Sequence, residues 1–436
     1  MRHLDGLRGL AILAVVLFHC YSRGPDLPGL NTNLFRQGYL GVQLFFLLSG
    51  FLILHSLETS SSLGHFYHRR WLRLFPAMVA ASWLIFVSAP FMYDRMDSLP
   101  GYLDALPGIL FADPHWLRDW ARLPVTGPIE GDFWTLFTEV KFYLLFGAAY
   151  FLVRRKAIGL LALLAVLGVV IYVGPAYGFD FNASLLGRAA AGVSDEMNAR
   201  CYGWFAAGAF FYLYFDSERP AFLAASAGCA VLGIVASTST ADVGGMVFCT
   251  GVYLVFIAPF FWEPLKRLFC HPWGVFLGFI SYPLYLLHQN ISWSLAVKLH
   301  RAFPDVPAKL LMAGPVVLVG VLAWLSAGFI EPLGRQLLAW SPKSAAPSAP
   351  RPLGRDGRAG ACALFAVLAA LGVTAGQLRP VAGARRALES RILAEQQGSL
   401  DALEQKLADS RRALAGIHLA RAQAQAYLES MKRNAP

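Results

Sequence analysis

The stretch LDGLRGLAILAVVLFHC, residues 4–20, places an arginine near the start of an apolar run and a histidine eleven residues further on. In a helix, eleven residues make just over three turns. Arg8 and His19 then share nearly one face and lie about 16 Å apart along the axis. If the run crosses a bilayer, one helix carries a cation at its entrance and an imidazole near mid-membrane. Ionisable groups inside a membrane are costly and face a cavity, a partner or a substrate path. Taken singly, Arg8 also suits a snorkelling anchor on lipid phosphates and His19 a satisfied core histidine. Helical phase alone does not decide between these roles.

The rest of the chain makes the membrane reading firm. Its 436 residues are 56% hydrophobic and 15% charged, far from a soluble domain. The mean hydropathy is +0.50. Apolar runs long enough to span recur near 7–22, 38–57, 75–93, 134–153, 157–174, 201–215, 220–237, 244–262, 273–293, 308–330 and 359–377. No small-residue cleavage site follows LFHCYSRG, so the first run reads as a span and not as a cleaved signal peptide. The expected fold is an all-α, polytopic membrane helix bundle.

Basic loops orient it. HFYHRRWLR (65–73), RRK (154–156), KR (266–267) and KSAAPSAPRPLGRDGR (343–358) fall in alternate loops, which puts the N-terminus in the cytoplasm of a plasma-membrane (inner-membrane) protein. The longest opposite loop, 94–133, holds seven acidic residues against three arginines. The net charge of +10 is therefore mainly a topology signal, and no basic run interleaved with aromatics points to nucleic acid. Residues 1–340 form the membrane domain, 341–358 a Pro-, Ser- and Arg-rich cytoplasmic linker, 359–378 an additional span and 379–436 an extracytoplasmic helical tail. Leu393, Leu400, Leu407, Leu414 and Leu428 in that tail follow a seven-residue repeat. The seam suits self-association or docking of an envelope partner, or equally one amphipathic helix on a surface.

Several chemistries are absent from the sequence. The six cysteines form no Cys-x-x-Cys pair, and the ten histidines form no His-Glu-x-x-His helix or Cys/His cluster, so no metal site is expected. There is no Gly-x-Ser-x-Gly elbow. HWLRD (115–119) has the His-x3-Asp spacing of soluble coenzyme A acyltransferases, but it falls in the outer loop and reads as coincidence.

Five segments, in order, resemble one family. The N-terminal run is similar to the Arg-x10-His signature of the acyltransferase-3 family of multi-pass membrane acyltransferases. GYLGVQLFFLLSGFLI (38–53) resembles its second-helix motif, with Gln43 where Asp is common. RRWLRLFP (69–76) resembles its Arg-x-x-Arg motif through Arg70 and Arg73. FWTLFTEVKFYLLFG (133–147) and ISYPLYLLHQ (280–289) are similar to two further motifs, with Thr135 and Val140 departing from the first. The resemblance covers residues 1 to about 335. It implies ten spans that transfer an acyl group, usually acetyl, from a cytoplasmic acyl-coenzyme A to a hydroxyl of an extracytoplasmic or lipid-linked glycan.

The residues fit that chemistry. Coenzyme A phosphates need cations at the cytoplasmic surface, and Arg69, Arg70 and Arg73 supply guanidinium groups there, which also serve as ordinary positive-inside anchors. Transfer to a hydroxyl needs a base and a stabilised oxyanion. His19, with an unperturbed pKa of about 6.5, is the best base in the chain. Glu139 would orient the imidazole as the third member of a triad does, or pair instead with Arg8. Arg8 can alternatively steer the donor. Both direct transfer and an acyl-histidine intermediate agree with one essential histidine. Ser49, Tyr282 and His288 sit in the matched motifs without an assigned role. The rival classes are a transporter, with Arg8, His19 and Glu139 as a proton or substrate path, and a scaffold whose tail recruits envelope enzymes.

Overall fold

In the computed structural model, the residues described are 1–92, 100–101, 103–238, 242–338 and Gln405. Among them every regular element is a helix. The α-helices in chain order are α1 (Arg2–Tyr21), α2 (Gly41–Glu58), α3 (Leu63–Ser88), α4 (Leu106–Leu110), α5 (Trp134–Val153), α6 (Ile158–Val173), α7 (Leu185–Met197) and α8 (Tyr202–Ser217). They continue with α9 (Pro220–Ser237), α10 (Val243–Phe261), α11 (Glu263–Phe269), α12 (Pro272–Leu287), α13 (Asn290–Ala302), α14 (Ala308–Leu325) and α15 (Glu331–Leu338). Each of the ten apolar runs read in residues 1–340 falls on a helix: α1, α2, α3, α5, α6, α8, α9, α10, α12 and α14. Among the described residues, seven helical stretches are long and apolar enough to cross a membrane, and one of them, Gly131–Tyr177, contains both α5 and α6. The molecule is an all-α polytopic membrane bundle. The linker 341–358, the eleventh span and the tail lie outside the described residues, apart from Gln405.

α3 starts earlier than its apolar run suggests. The Ser62 hydroxyl accepts a hydrogen bond from His65 N at 3.1 Å, satisfying a free donor of the first turn. HFYHRRWLR is thereby helical, and Arg70 and Arg73, three residues apart, share a face.

Two glycine crossings bring the helices together. Water supplies no hydrophobic drive inside lipid, so close backbone approach and dispersion hold helix to helix. A Cβ on Gly6 would stand 1.9 Å from the Phe269 carbonyl oxygen, one on Gly9 2.2 Å from that of Gly274, and one on Gly278 1.9 Å from that of Asp5. α1 and α12 therefore touch backbone to backbone. Ten residues beyond Gly9 and Gly278, the same register sets His19 beside His288. α2 and α8 cross in the same way, where a Cβ on Gly50 or Gly208 would meet the Phe205 or Leu47 carbonyl oxygen at 2.0 Å. Behind that crossing Phe142 stacks on Phe205, centroids 4.1 Å apart. By contrast α6 and α10 present Leu163, Val166, Val247 and Phe248 outward, as lipid-facing helices should.

Candidate active site

His19 occupies the last turn of α1, not the middle of the span, because the helix runs from Arg2 to Tyr21. Its backbone carbonyl accepts a hydrogen bond from the indole of Trp293 on α13 at 2.9 Å. The carboxylate it meets is Asp132, in the short helical turn Gly131–Phe133 that leads into α5. His19 Nε2 lies 3.4 Å from Asp132 Oδ2, and His288 Nε2 approaches the same oxygen at 3.3 Å. The two imidazoles meet edge to face, centroids 5.2 Å apart. His288 is wholly buried at the end of α12, and His19 is nearly so.

The protons can be partly placed. His288 Nδ1 lies 2.9 Å from the Tyr285 carbonyl oxygen, so it must carry a hydrogen to donate. His288 Nε2 and Asp132 Oδ2 are buried and have no hydrogen-bond partner among the described residues, although they stand 3.3 Å apart. His19 Nδ1 is buried and has no hydrogen-bond partner among the described residues, and with the ring hydrogen on Nε2, on the side of Asp132, it would be a lone pair. An oriented, unpartnered imidazole nitrogen backed by a carboxylate is the arrangement a general base needs. His19, Asp132 and His288 also hold donor atoms within 4.8 Å of one another, close enough to ligate a single metal ion.

A second polar station opens beside the first. Arg8, Arg70, Arg73, Glu139, Ser49 and Tyr143 line a cavity together with Tyr282, Tyr285, Ser281, Thr135 and apolar side chains of α2. Arg8 Nη1 contacts Asp5 Oδ1 at 3.2 Å. The Arg70 guanidinium packs over the rings of Phe66 and Tyr143, at 5.8 and 5.9 Å. Glu139 Oε1 accepts hydrogen bonds from the hydroxyls of Ser49 and Tyr143. Three guanidinium groups thus share the cavity with one carboxylate, an excess of positive charge suited to phosphate. Arg69 is exposed and is not among the lining residues.

Tyr285 and Thr135 connect the stations. Both line the cavity. The Tyr285 hydroxyl lies 2.7 Å from Thr135 Oγ1 and 2.9 Å from the carbonyl oxygen of Asp132. Arg8, Arg70, Arg73 and Glu139 are thus brought into one cavity, while His19 sits at its neighbour cluster with a different carboxylate. Asp132 escaped sequence reading because it looked like one of the seven acids of a long loop. Its one signal was its place immediately ahead of the FWTL motif.

A family model described as "Acyltransferase domain" matches residues 1–328. The chain belongs to this acyltransferase-3 family, whose members are enzymes that transfer acyl groups. It is similar to a peptidoglycan O-acetyltransferase OatA of Listeria monocytogenes, 29% identical over 157 residues, covering 33% of this chain and 23% of that protein. It is also similar to an O-acetyltransferase OatA of Staphylococcus aureus (strain NCTC 8325), 30% identical over 155 residues with 33% and 23% covered. A third relative is a putative peptidoglycan O-acetyltransferase YrhL of Bacillus subtilis, 29% identical over 157 residues with 33% and 22% covered. The match spans under a quarter of the length of these relatives. No solved structure matches.

Proposed function

We propose that this protein is an O-acyltransferase that moves an acyl group, usually acetyl, from a cytoplasmic acyl-coenzyme A to a hydroxyl of an envelope glycan. The observation that carries the reading is the pairing of an oriented His19 with a neighbouring arginine-rich cavity on the same helix. Two of the relatives are named as peptidoglycan O-acetyltransferases, one of them putatively, which favours a peptidoglycan acceptor. The basic loops favour a plasma-membrane protein with its N-terminus inside. In that topology α1 enters from the cytoplasm at Arg8 and ends outside at His19, so donor and acceptor arrive from opposite faces.

In the reaction His19 Nδ1 takes the proton of the acceptor hydroxyl as its oxygen attacks the thioester carbonyl carbon. Asp132 stabilises the imidazolium that forms, and His288 holds Asp132 in place from its other side. When the tetrahedral intermediate collapses, the carbon–sulfur bond breaks and His19 returns the proton to the departing thiolate. Arg70 and Arg73, with Arg8, hold the donor phosphates, each charge-assisted hydrogen bond contributing about 1.5–3 kcal/mol. Glu139, bonded to Ser49 and Tyr143, orders the cavity wall. Arg69 remains as a surface anchor and an entry charge for the donor. The tail at 379–436 serves association with a second copy or an envelope partner and not catalysis.

Purified full-length protein, incubated with radiolabelled acetyl-coenzyme A and peptidoglycan, is expected to deposit label on the glycan as an alkali-labile ester. Absence of transfer from any acyl-coenzyme A, combined with solute or proton flux in proteoliposomes, would establish the transporter reading instead.

A further inference from the structure

The segment HWLRDW, whose His-x3-Asp spacing reads as coincidence in the sequence, folds into one π-helical turn over Trp116–Trp120. The turn stacks its two indoles nearly parallel, 8° between planes and 5.8 Å between centroids. Trp116 is held from behind. Its Nε1 donates to Glu196 Oε1 at 2.6 Å, and Lys141 Nζ lies 5.2 Å from its ring centroid. Lys141 is itself buried and pairs with Asp113 and Glu196 at 2.8 Å each, which ties the turn to α5 and α7. Trp120 is 76% exposed, so its ring is presented on a rigid backing.

Interfacial tryptophans of membrane proteins commonly anchor to lipid. The surroundings of Trp120 argue otherwise. Arg118, Asp119 and Arg122 beside it are all exposed, and Arg118 contacts Asp119 at 2.9 Å and His115 Nδ1 at 2.5 Å. A flat, fixed aromatic face ringed by charged donors and acceptors suits a sugar ring, which has an apolar C–H face and hydroxyls at its rim. Lipid chains would leave those charges unsolvated.

We propose that Trp120, backed by Trp116, is a stacking subsite for a pyranose ring of the glycan acceptor, separate from the ring that is acylated. This rests on the O-acyltransferase reading, in which the loop lies on the acceptor face. The loop bearing the platform runs directly into Asp132. Its anchor, Lys141, stands six residues beyond Thr135, about 9 Å along α5. The subsite would therefore engage a neighbouring unit of a polymeric acceptor and set its register over His19.

The test uses purified full-length protein and soluble peptidoglycan glycan strands. Calorimetric titration without donor should show binding that Trp120→Ala weakens about tenfold and Trp120→Phe largely restores. In the transfer assay Trp120→Ala should raise the acceptor KM by a similar factor, with kcat and the donor KM unchanged. A monosaccharide acceptor should be indifferent to the substitution. Strand binding and acceptor KM unchanged in Trp120→Ala would overturn the subsite, as would a loss confined to membrane insertion or thermal stability. If the protein transfers no acyl group yet binds strands through Trp120, the subsite stands and the acyltransferase reading fails.

Discussion

Two polar stations share α1, and their compositions separate what each can do. Around His19, one carboxylate oxygen lies between two imidazoles, at 3.4 and 3.3 Å. Imidazole nitrogens and a carboxylate can each accept and return a proton, so the cluster suits bond-making. Around Arg8, Arg70 and Arg73, three guanidinium groups face Glu139. Guanidinium keeps its proton under ordinary conditions, so those three side chains can hold an anion but do not relay a proton. The difference teaches that damage to the first station should appear in kcat and damage to the second in the donor KM.

The largest effect should follow His19→Ala, which removes the proposed base. Transfer is expected to fall by about a thousandfold or more while donor binding, measured by equilibrium titration, persists. Glycan acylation near the wild-type rate in that variant would end the assignment. Asp132→Asn keeps the shape but removes the charge that stabilises the imidazolium, and should lower kcat by about a hundredfold or more with the donor KM little changed. Glu139→Gln should lower kcat far less. If the two variants behaved alike, the division between the stations would collapse.

The double substitution of Arg70 and Arg73 by Ala should raise the donor KM about ten- to a hundredfold, and added salt should narrow the gap from wild type. Arg69→Ala, altering an exposed residue, should move it far less. An unchanged donor affinity in the double variant would leave these arginines as topological anchors. The metal-capable geometry of His19, Asp132 and His288 has its own check. Thorough chelation followed by elemental analysis should leave activity unchanged in the proton-transfer reading. Activity lost on chelation and regained with added zinc would turn the first station into a metal centre.

The smallest effect concerns the loop between the stations and the tryptophan platform. Burial alone would raise the Asp104 carboxyl, but hydrogen bonds from the Thr126 hydroxyl and the backbone N–H groups of Thr126 and Gly101 outweigh it and hold Asp104 below the usual carboxylate range. A carboxylate with a depressed folded pKa contributes stability above its unfolded value, near 3.9, and that contribution disappears as pH falls through the folded value. Protection of the Thr126 amide against hydrogen exchange, relative to its intrinsic rate, should therefore fall below about pH 4. Asp104→Ala should show the lower protection already at pH 7. Indifference of Thr126 to both changes would show that Lys141 and its partners alone secure the loop.

Much of this architecture is local in origin and could be read from the chain. Twenty-residue apolar runs can satisfy their backbone in lipid only as helices, so the helices that carry the ten apolar runs of residues 1–340 were predictable one by one. The shared face of Arg70 and Arg73 follows from helical phase in the same way. The depth of His19 did not follow, because hydropathy locates a span but not the polar turn at Arg2–Asp5 that lengthens α1.

The apolar runs that become helices in the described residues, the acyltransferase motifs and His19 as a candidate base are all legible in the chain alone. Which groups meet was decided only by the tertiary structure. Asp132 and His288 lie 113 and 269 positions from His19. They reach it because Gly6 and Gly9 let α1 touch α12 along Gly274 and Gly278, and because the turn Gly131–Phe133 delivers a loop acid to that junction. Helical periodicity is a property of neighbouring residues, whereas the choice between Glu139 and Asp132 depends on helix crossings made by backbone contact, which no local pattern encodes.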